Sequence, residues 1–377
     1  MKKLSVFVLL MVLCLCLCAC GESEKPEEIA DIPNIDHNIL DADRHLGNSY
    51  ENYSSEDTLL VEYGNRIYHA YNSRHEIMEY CTANDKEKSL GIYGTDLSVY
   101  KNVLYYIAED GLSIHAFDLA TGIDSVWITI EEIITLLPLA TFFYPTLSNL
   151  LVSDYGLCLL FGESSKYLVH LSFDKALIST TFYLDIGYLD NDFFGRVSVD
   201  LSIKIYDLVT ISSDRLCILY DSYFDEGICI YNLSSASFSY FALPDSSQKA
   251  FIDGGESVYL YSYSPIDAVD IVEFDLHSFS TKTLRFFKDY TTIVVPANKF
   301  GDYVYYNVLK DDFSDYLFIK KSLSDNSTYV LCDGFAVTNL TFTSNNMVYG
   351  MTDNYDDQYV SKFFRADLDF KNITYLD

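Results

Sequence analysis

Positive charge is scarce in this chain: 25 lysines and arginines stand against 55 aspartates and glutamates, a formal net charge of -30. A body this acidic repels phosphate backbones and anionic headgroups, so nucleic-acid binding and adhesion of the folded part to a lipid surface are disfavoured, whereas cationic partners or divalent metals are favoured. Tryptophan occurs once, which excludes any repeat that spends one tryptophan per unit. No GxSxG elbow and no HExxH pair is present, so a hydrolase triad and a zinc-protease site find no support. Among Cys81, Cys158, Cys217, Cys229 and Cys332 no CxxC or metal-type spacing occurs, which removes zinc and dithiol redox readings. Long apolar runs are missing too, with one exception at the N-terminus; the next most apolar region, Val126 to Tyr144, is broken by Glu131, Glu132 and Pro138.

That exception reads MKKLSVFVLLMVLCLCLCAC. Lys2 and Lys3 precede an apolar run from Leu4 to Leu17, and small Ala19 stands immediately before Cys20, the anatomy of an export signal. Leu17, Cys18, Ala19 and Cys20 resemble the bacterial lipobox, which implies lipid on the Cys20 thiol and cleavage in front of it. Ala19 selects that cysteine, because lipidation at Cys16 or Cys18 would put a leucine where a small residue is required. An ordinary secretory peptide or an uncleaved anchor are the alternatives. Two or three acyl chains, at about 0.8 kcal/mol per buried methylene, make a lasting anchor where one does not. The expected organisation is therefore a signal peptide over 1–19, a lipidated cysteine and a flexible acidic tether over 20–57, and one domain over 58–377. A membrane-anchored, extracytoplasmic monomer follows.

What the domain does contain is tyrosine, 33 of them, and much of it recurs in register. GNRIYHAY from Gly64, KNVLYYIA from Lys101, YGLCLLFG from Tyr155, DRLCILYD from Asp214, GESVYLYSY from Gly255, GDYVYYNV from Gly301 and NNMVYGMT from Asn345 align. One column holds Ile67, Leu104, Leu157, Leu216, Val258, Val304 and Val348. The next holds Tyr68, Tyr105, Cys158, Cys217, Tyr259, Tyr305 and Tyr349. Further along, Asp118-Leu119, Asn232-Leu233, Asp275-Leu276, Ser322-Leu323 and Asp367-Leu368 form a second recurring pair. Each unit opens with one more strand-like run, such as LSVYKN or LTFTSN, and closes with another, such as SFSYFAL or STYVL. Four short strands every forty-odd residues predict an all-β propeller of four-stranded blades, with seven blades the first choice and six or eight left open. Glu131 to Tyr144 reads as a short helix ended or kinked by Pro138, and Asp185 to Ser198 as an acidic, aromatic insertion.

The Tyr-Tyr hairpins followed by Asp-Leu strands resemble the propeller-repeat lipoproteins of Gram-positive bacteria, many of them domains of unknown function. The resemblance covers roughly Thr58 to Asp377 and implies an architecture more than an activity. Repeating Gly-His and Trp-Asp signatures, and the glycine pair of kelch repeats, are missing.

Candidate chemistry is sparse. Cys158 and Cys217 occupy the tyrosine column and read as small buried hydrophobes. Cys217 and Cys229 flank a hairpin turn, which makes them the candidate disulfide in an oxidising exterior. His69, His115 and His170 fall within strands and read as structural. Asp353, Asp356 and Asp357 are the candidate calcium ligands, ahead of Asp311, Asp312, Asp315 and of Asp185, Asp190, Asp192, although none follows the EF-hand order and a solvated acidic turn is the favoured reading of each. No other cofactor is expected. Tyr183, Tyr188, Phe193 and Phe194 in the insertion suit stacking on sugars or gripping cationic peptides. Two functions stay open: a binding or scaffolding module for an envelope protein or glycan, and an extracellular glycan-active enzyme with its site at the propeller channel.

Overall fold

Strands dominate the chain because its turn residues cut the apolar, β-branched and aromatic runs into lengths too short for helices. The computed structural model describes residues 59–70, 74–137, 145–162, 166–180, 204–212, 214–221, 226–242, 248–253, 257–262, 270–275, 278–285, 294–309, 316–325, 327–342, 347–353 and 362–376. All of them belong to one unit, Asp43–Asp377.

The strands are, in order, β1 (Leu60–Tyr63), β2 (Arg66–His69), β3 (Glu76–Cys81), β4 (Lys86–Tyr100), β5 (Val103–Ala108), β6 (Ser113–Asp118), β7 (Ile123–Thr129), β8 (Thr146–Ser153), β9 (Gly156–Gly162), β10 (Lys166–Leu171) and β11 (Leu177–Thr180). They continue as β12 (Lys204–Ser212), β13 (Arg215–Asp221), β14 (Glu226–Asn232), β15 (Ser237–Ala242), β16 (Gln248–Asp253), β17 (Ser257–Ser262), β18 (Asp270–Asp275) and β19 (Thr281–Arg285). The last eight are β20 (Val294–Phe300), β21 (Tyr303–Leu309), β22 (Tyr316–Ser322), β23 (Thr328–Asp333), β24 (Ala336–Phe342), β25 (Met347–Asp353), β26 (Lys362–Asp367) and β27 (Thr374–Tyr375). Within each sheet the strands pair antiparallel with their neighbours in sequence, giving one seven-stranded sheet, β1 to β7, and five four-stranded sheets. The larger sheet is two meanders fused through β4, whose first part pairs with β3 from Cys81↔Lys86 and whose second part pairs with β5 from Gly94↔Ala108.

The helix expected in the Glu131 region is α1 (Ile130–Leu136), set between β7 and β8. Its start is a capping box: Thr129 Oγ1 accepts from Glu132 N, and a Glu132 carboxylate oxygen accepts from Thr129 N.

The two aligned columns acquire distinct meanings in space. All seven residues of each column lie on second strands, β2, β5, β9, β13, β17, β21 and β25. Successive residues of a strand point to opposite faces, so the two columns face opposite ways. Leu104 packs against the preceding meander, in a core shared with Val61, Tyr68 and Ile77. Tyr105 packs against the following one, with Leu150, Val152 and Leu157. The rule repeats: Leu157 faces back and Cys158 forward, among Leu216, Ile218 and Tyr231; Val348 faces back onto Tyr305 and Phe342. In the last meander Tyr349 again faces forward, and what it meets is the first, with Leu60, Ile67 and Tyr80. Each fully buried aliphatic of this kind contributes about 1.5–3 kcal/mol.

The Asp-Leu pair closes the hairpin between third and fourth strands. Asp118 Oδ1 accepts from the N–H of Ala120 and of Thr121, both 2.9 Å, and Asn232, Asp275 and Asp367 cap their turns in the same way. The chain then turns left-handed, at Gly122, Ala236, Phe279 and Phe370. The leucine's own N–H reaches the neighbouring hairpin, Leu119 to Asn102 O (3.0 Å), Leu233 to Asp214 O (2.7 Å) and Leu323 to Asp302 O (2.8 Å). Capping holds these carboxyls below the ordinary carboxylate value, for Asp118 through the Thr121 and Ala120 N–H and for Asp367 through that of Lys371.

Candidate functional site

Polar side chains placed inside the apolar seams between meanders form the richest chemistry among the described residues. On the third strand, the residue opposite the tyrosine column is often basic: His170 opposite Cys158, Lys320 opposite Tyr305, Arg365 opposite Tyr349. All three reach into the next meander. Lys320 Nζ lies 2.9 Å from Asp369 Oδ1, in the turn between β26 and β27, and 4.8 Å from the Tyr303 ring centroid. Arg365 bonds Asp85, in the turn between β3 and β4, and its Nη1 is 3.2 Å from Tyr80 Oη. His170 is wholly buried and meets Tyr231 of β14.

The contact between last and first meanders is the densest of these. The Tyr80 hydroxyl donates to Asp85 at 2.6 Å, and with Arg365 it holds the Asp85 carboxyl below its ordinary value. Burial pushes the Tyr349 hydroxyl up to about 12. His69 stacks on Phe363 with ring centroids 4.1 Å apart, and its Nε2 is 2.7 Å from Glu87 Oε1. Glu79 is shared by Arg66 and Lys88.

A second set of polar groups sits on the first strands. β4, β8, β12, β16, β20 and β24 each carry a register shift against the second strand, between Thr95 and Ser98 in β4 and between Ser148 and Leu151 in β8. Asp96 and Asn149 sit in their bulges with φ of 54°, a conformation that Asp and Asn tolerate best among residues with a side chain. Buried Asp96 Oδ1 accepts from Asn149 N at 2.7 Å, linking one bulge to the next. Asn307 does the same work from β21, bonding both the N–H and the carbonyl of Val337.

The sequence candidates fare unevenly. Leu17, Cys18, Ala19 and Cys20 lie outside the described residues, as do Asp356, Asp357, the Asp311 cluster and the Asp185 insertion; Asp353 ends β25, its backbone paired with Ala336. The expected facing of Cys217 and Cys229 is corrected. Cys217 pairs with Ile230 and Cys229 with Ile218, so the two stand one rung apart on opposite faces, and they are not joined by a disulfide. Burial pushes the Cys229 thiol up to about 12 and that of Cys332 up to about 11, away from reactive thiolates. His115 pairs with Asp124 at 2.8 Å. Among the described residues no group of three His, Cys, Asp or Glu is placed to hold a metal ion. The bulge residues and third-strand cations were missed by the sequence reading; an Asx-Leu pair that begins nine or ten residues before the tyrosine column was the trace of the bulges.

No protein-family model matches the chain, and a search of curated proteins found no relative. Solved structures are similar in fold. The oligogalacturonate lyase of Vibrio parahaemolyticus matches with a TM-score of 0.54 at 11% identity, over 85% of this chain and 90% of that one. A puromycin-hydrolyzing peptidase of Mycobacterium tuberculosis matches with a TM-score of 0.54 at 11% identity, over 89% of this chain but 56% of its own. The β-propeller domain of the Trilobed protease of Pyrococcus furiosus, described as having an open velcro topology, matches with a TM-score of 0.51 at 10% identity, over 86% and 97%. At such identities the likeness speaks for the fold alone: an all-β, propeller-like body.

Proposed function

We propose that this chain is an exported lipoprotein, anchored through lipid on Cys20, whose body is a seven-bladed β-propeller acting as a binding or scaffolding module for an envelope protein or glycan. One observation carries the ring: Tyr349 and Arg365 of the last meander meet Ile67, Tyr80 and Asp85 of the first through the same positions by which Tyr305 and Lys320 meet the last. A first sheet that serves as the last one's next neighbour supports seven blades closed by side chains, with no strand exchanged between the ends. Such a ring is a rigid platform, and display on an acidic tether suits presentation of loops to large partners. The charge of -30 favours a partner with exposed cationic groups. Calcium at Asp353, Asp356 and Asp357 is part of the same proposal.

Cys20→Ala is expected to abolish incorporation of an alkyne-tagged fatty acid and to release the chain from the membrane fraction; retention of both would overturn the anchor. For the body, affinity capture of partners from the native envelope, with and without calcium, is expected to return a reproducible protein or glycan. Turnover of an oligosaccharide or peptide panel by the purified body would replace the binding reading with an enzymatic one.

A further inference from the structure

The three basic residues that cross from a third strand into the next meander differ in one respect. Lys320 and Arg365 each end on a carboxylate, Asp369 or Asp85. His170 ends on a phenol and a carbonyl. Its Nε2 lies 3.0 Å from Tyr155 O, and a carbonyl oxygen only accepts, so Nε2 carries the proton and donates it. Nδ1, 2.8 Å from Tyr231 Oη, is then the lone-pair nitrogen and accepts from the tyrosine hydroxyl. The ring stands edge-on to Tyr231, with centroids 5.7 Å apart. Both nitrogens are thus satisfied in the neutral form, whereas the protonated ring would keep both bonds only if the Tyr231 hydroxyl turned to accept from Nδ1. The imidazole is 0% exposed, between sheets whose shared core is Leu160, Leu168, Leu216, Ile218 and Tyr231.

From these contacts we propose that His170 is an acid-sensitive latch between the third and fourth meanders, holding them together when neutral and loosening that junction when protonated. A second proton would sit on Nδ1, facing the hydroxyl hydrogen of Tyr231, which would have to turn away. The new charge would be buried with no counter-ion among the described residues, a costly state. Among the described residues, the titratable groups around it are Cys158 from β9, Tyr231 and Cys229 from β14, and Tyr155 from the turn before β9, with no carboxylate. Burial accordingly disfavours the protonated ring, and the Tyr155 carbonyl opposes this only in part. The junction at Lys320 is instead an ion pair with Asp369, so acid acts on the His170 seam and not on that one. This inference stands without the lipid anchor and without any ligand.

The test is hydrogen exchange of the full mature chain, corrected for intrinsic rates, at pH 7.5 and pH 5. Protection in β9, β10, β13 and β14 is expected to fall several-fold at pH 5, with a ceiling of about thirtyfold set by the ordinary imidazole value, while β21 and β22 stay unchanged. His170→Gln, whose amide can donate to Tyr155 O and accept from Tyr231, is expected to remove the pH dependence. Should that variant not fold, titration of the His170 Cε1–H resonance in the unmodified chain decides: a midpoint below 6.5 supports the latch. A uniform loss of protection, an unaltered pH dependence in His170→Gln, or a midpoint at or above 6.5 would overturn it.

Discussion

The Asn307 side-chain amide spans two sheets, its Nδ2 donating to Val337 O and its Oδ1 accepting from Val337 N, both at 2.8 Å and both buried. One side chain thereby pairs a residue of β24 as a neighbouring strand would. Asn307→Leu keeps the volume and leaves both backbone groups of Val337 buried and unpaired. The expected loss is about 2–4 kcal/mol of unfolding free energy, read from urea titrations. An unchanged midpoint would mean that water or another group takes over the pairing.

The contact of Arg365 with Asp85 links residues 280 positions apart. Arg365→Met and Asp85→Asn, taken singly and together, are expected to show an interaction energy in a double-mutant cycle, one that shrinks as salt is raised because Asp85 is exposed. Additive effects would show that the two ends of the domain are not joined by this pair.

Acid should weaken the fold through its turns. Asp118, Asp302, Asp325, Asp367 and Asp369 are all held below the ordinary value of 3.8, mainly by turn N–H groups, by serine hydroxyls or, for Asp369, by Lys320. In the unfolded chain these carboxyls take up protons first, so stability falls as pH drops through 3.8 and toward the lower folded values. Asp118→Asn is expected to keep its turn, as Asn232 does naturally, and to flatten that slope in urea midpoints measured between pH 7 and pH 2.5. The opposite slope would contradict the capping role.

Thiol reactivity separates the five body cysteines. Cys158, Cys217, Cys229 and Cys332 are buried and outside any disulfide, and Cys81 is half-exposed. Under native conditions a thiol reagent is expected to modify Cys81 alone, with the other four reacting only after denaturation. An intact-mass deficit of two hydrogens after oxidation, mapped to Cys217 and Cys229, would contradict the register that sets them on opposite faces.

Much of this fold is legible in the chain because its signals are local. Ile67 and Tyr68 adjoin, and adjacency alone commits them to opposite faces of a strand; seven such pairs announce seven second strands. Asp118-Leu119 marks a turn for the same reason. The degenerate opening of the chain, MEYCTAN, hid a regular third strand because Cys81 and Thr82 replace the usual Asp-Leu while Thr82 N still reaches Asn65 O. The seams were not legible. Arg365 looks like any surface cation until Asp85 arrives from the far end of the chain, and Asp96 looks like a turn residue until its bulge meets Asn149. His170 reads as a strand histidine in sequence; the tautomer that defines it depends on Tyr231, sixty-one positions away.

The unbroken run of β4 sets a limit on how this architecture can vary. After β7 the chain leaves one sheet for the next through a separate segment that includes the helix α1. Between the first two sheets there is no such segment: fifteen residues serve both. Residues added near Gly91 to Tyr93 would have to shift one sheet's alignment or the other's, so this crossing is the poorest place for inserted loops, epitope tags or proteolytic clipping, and the most dependable reference point for measuring motion elsewhere.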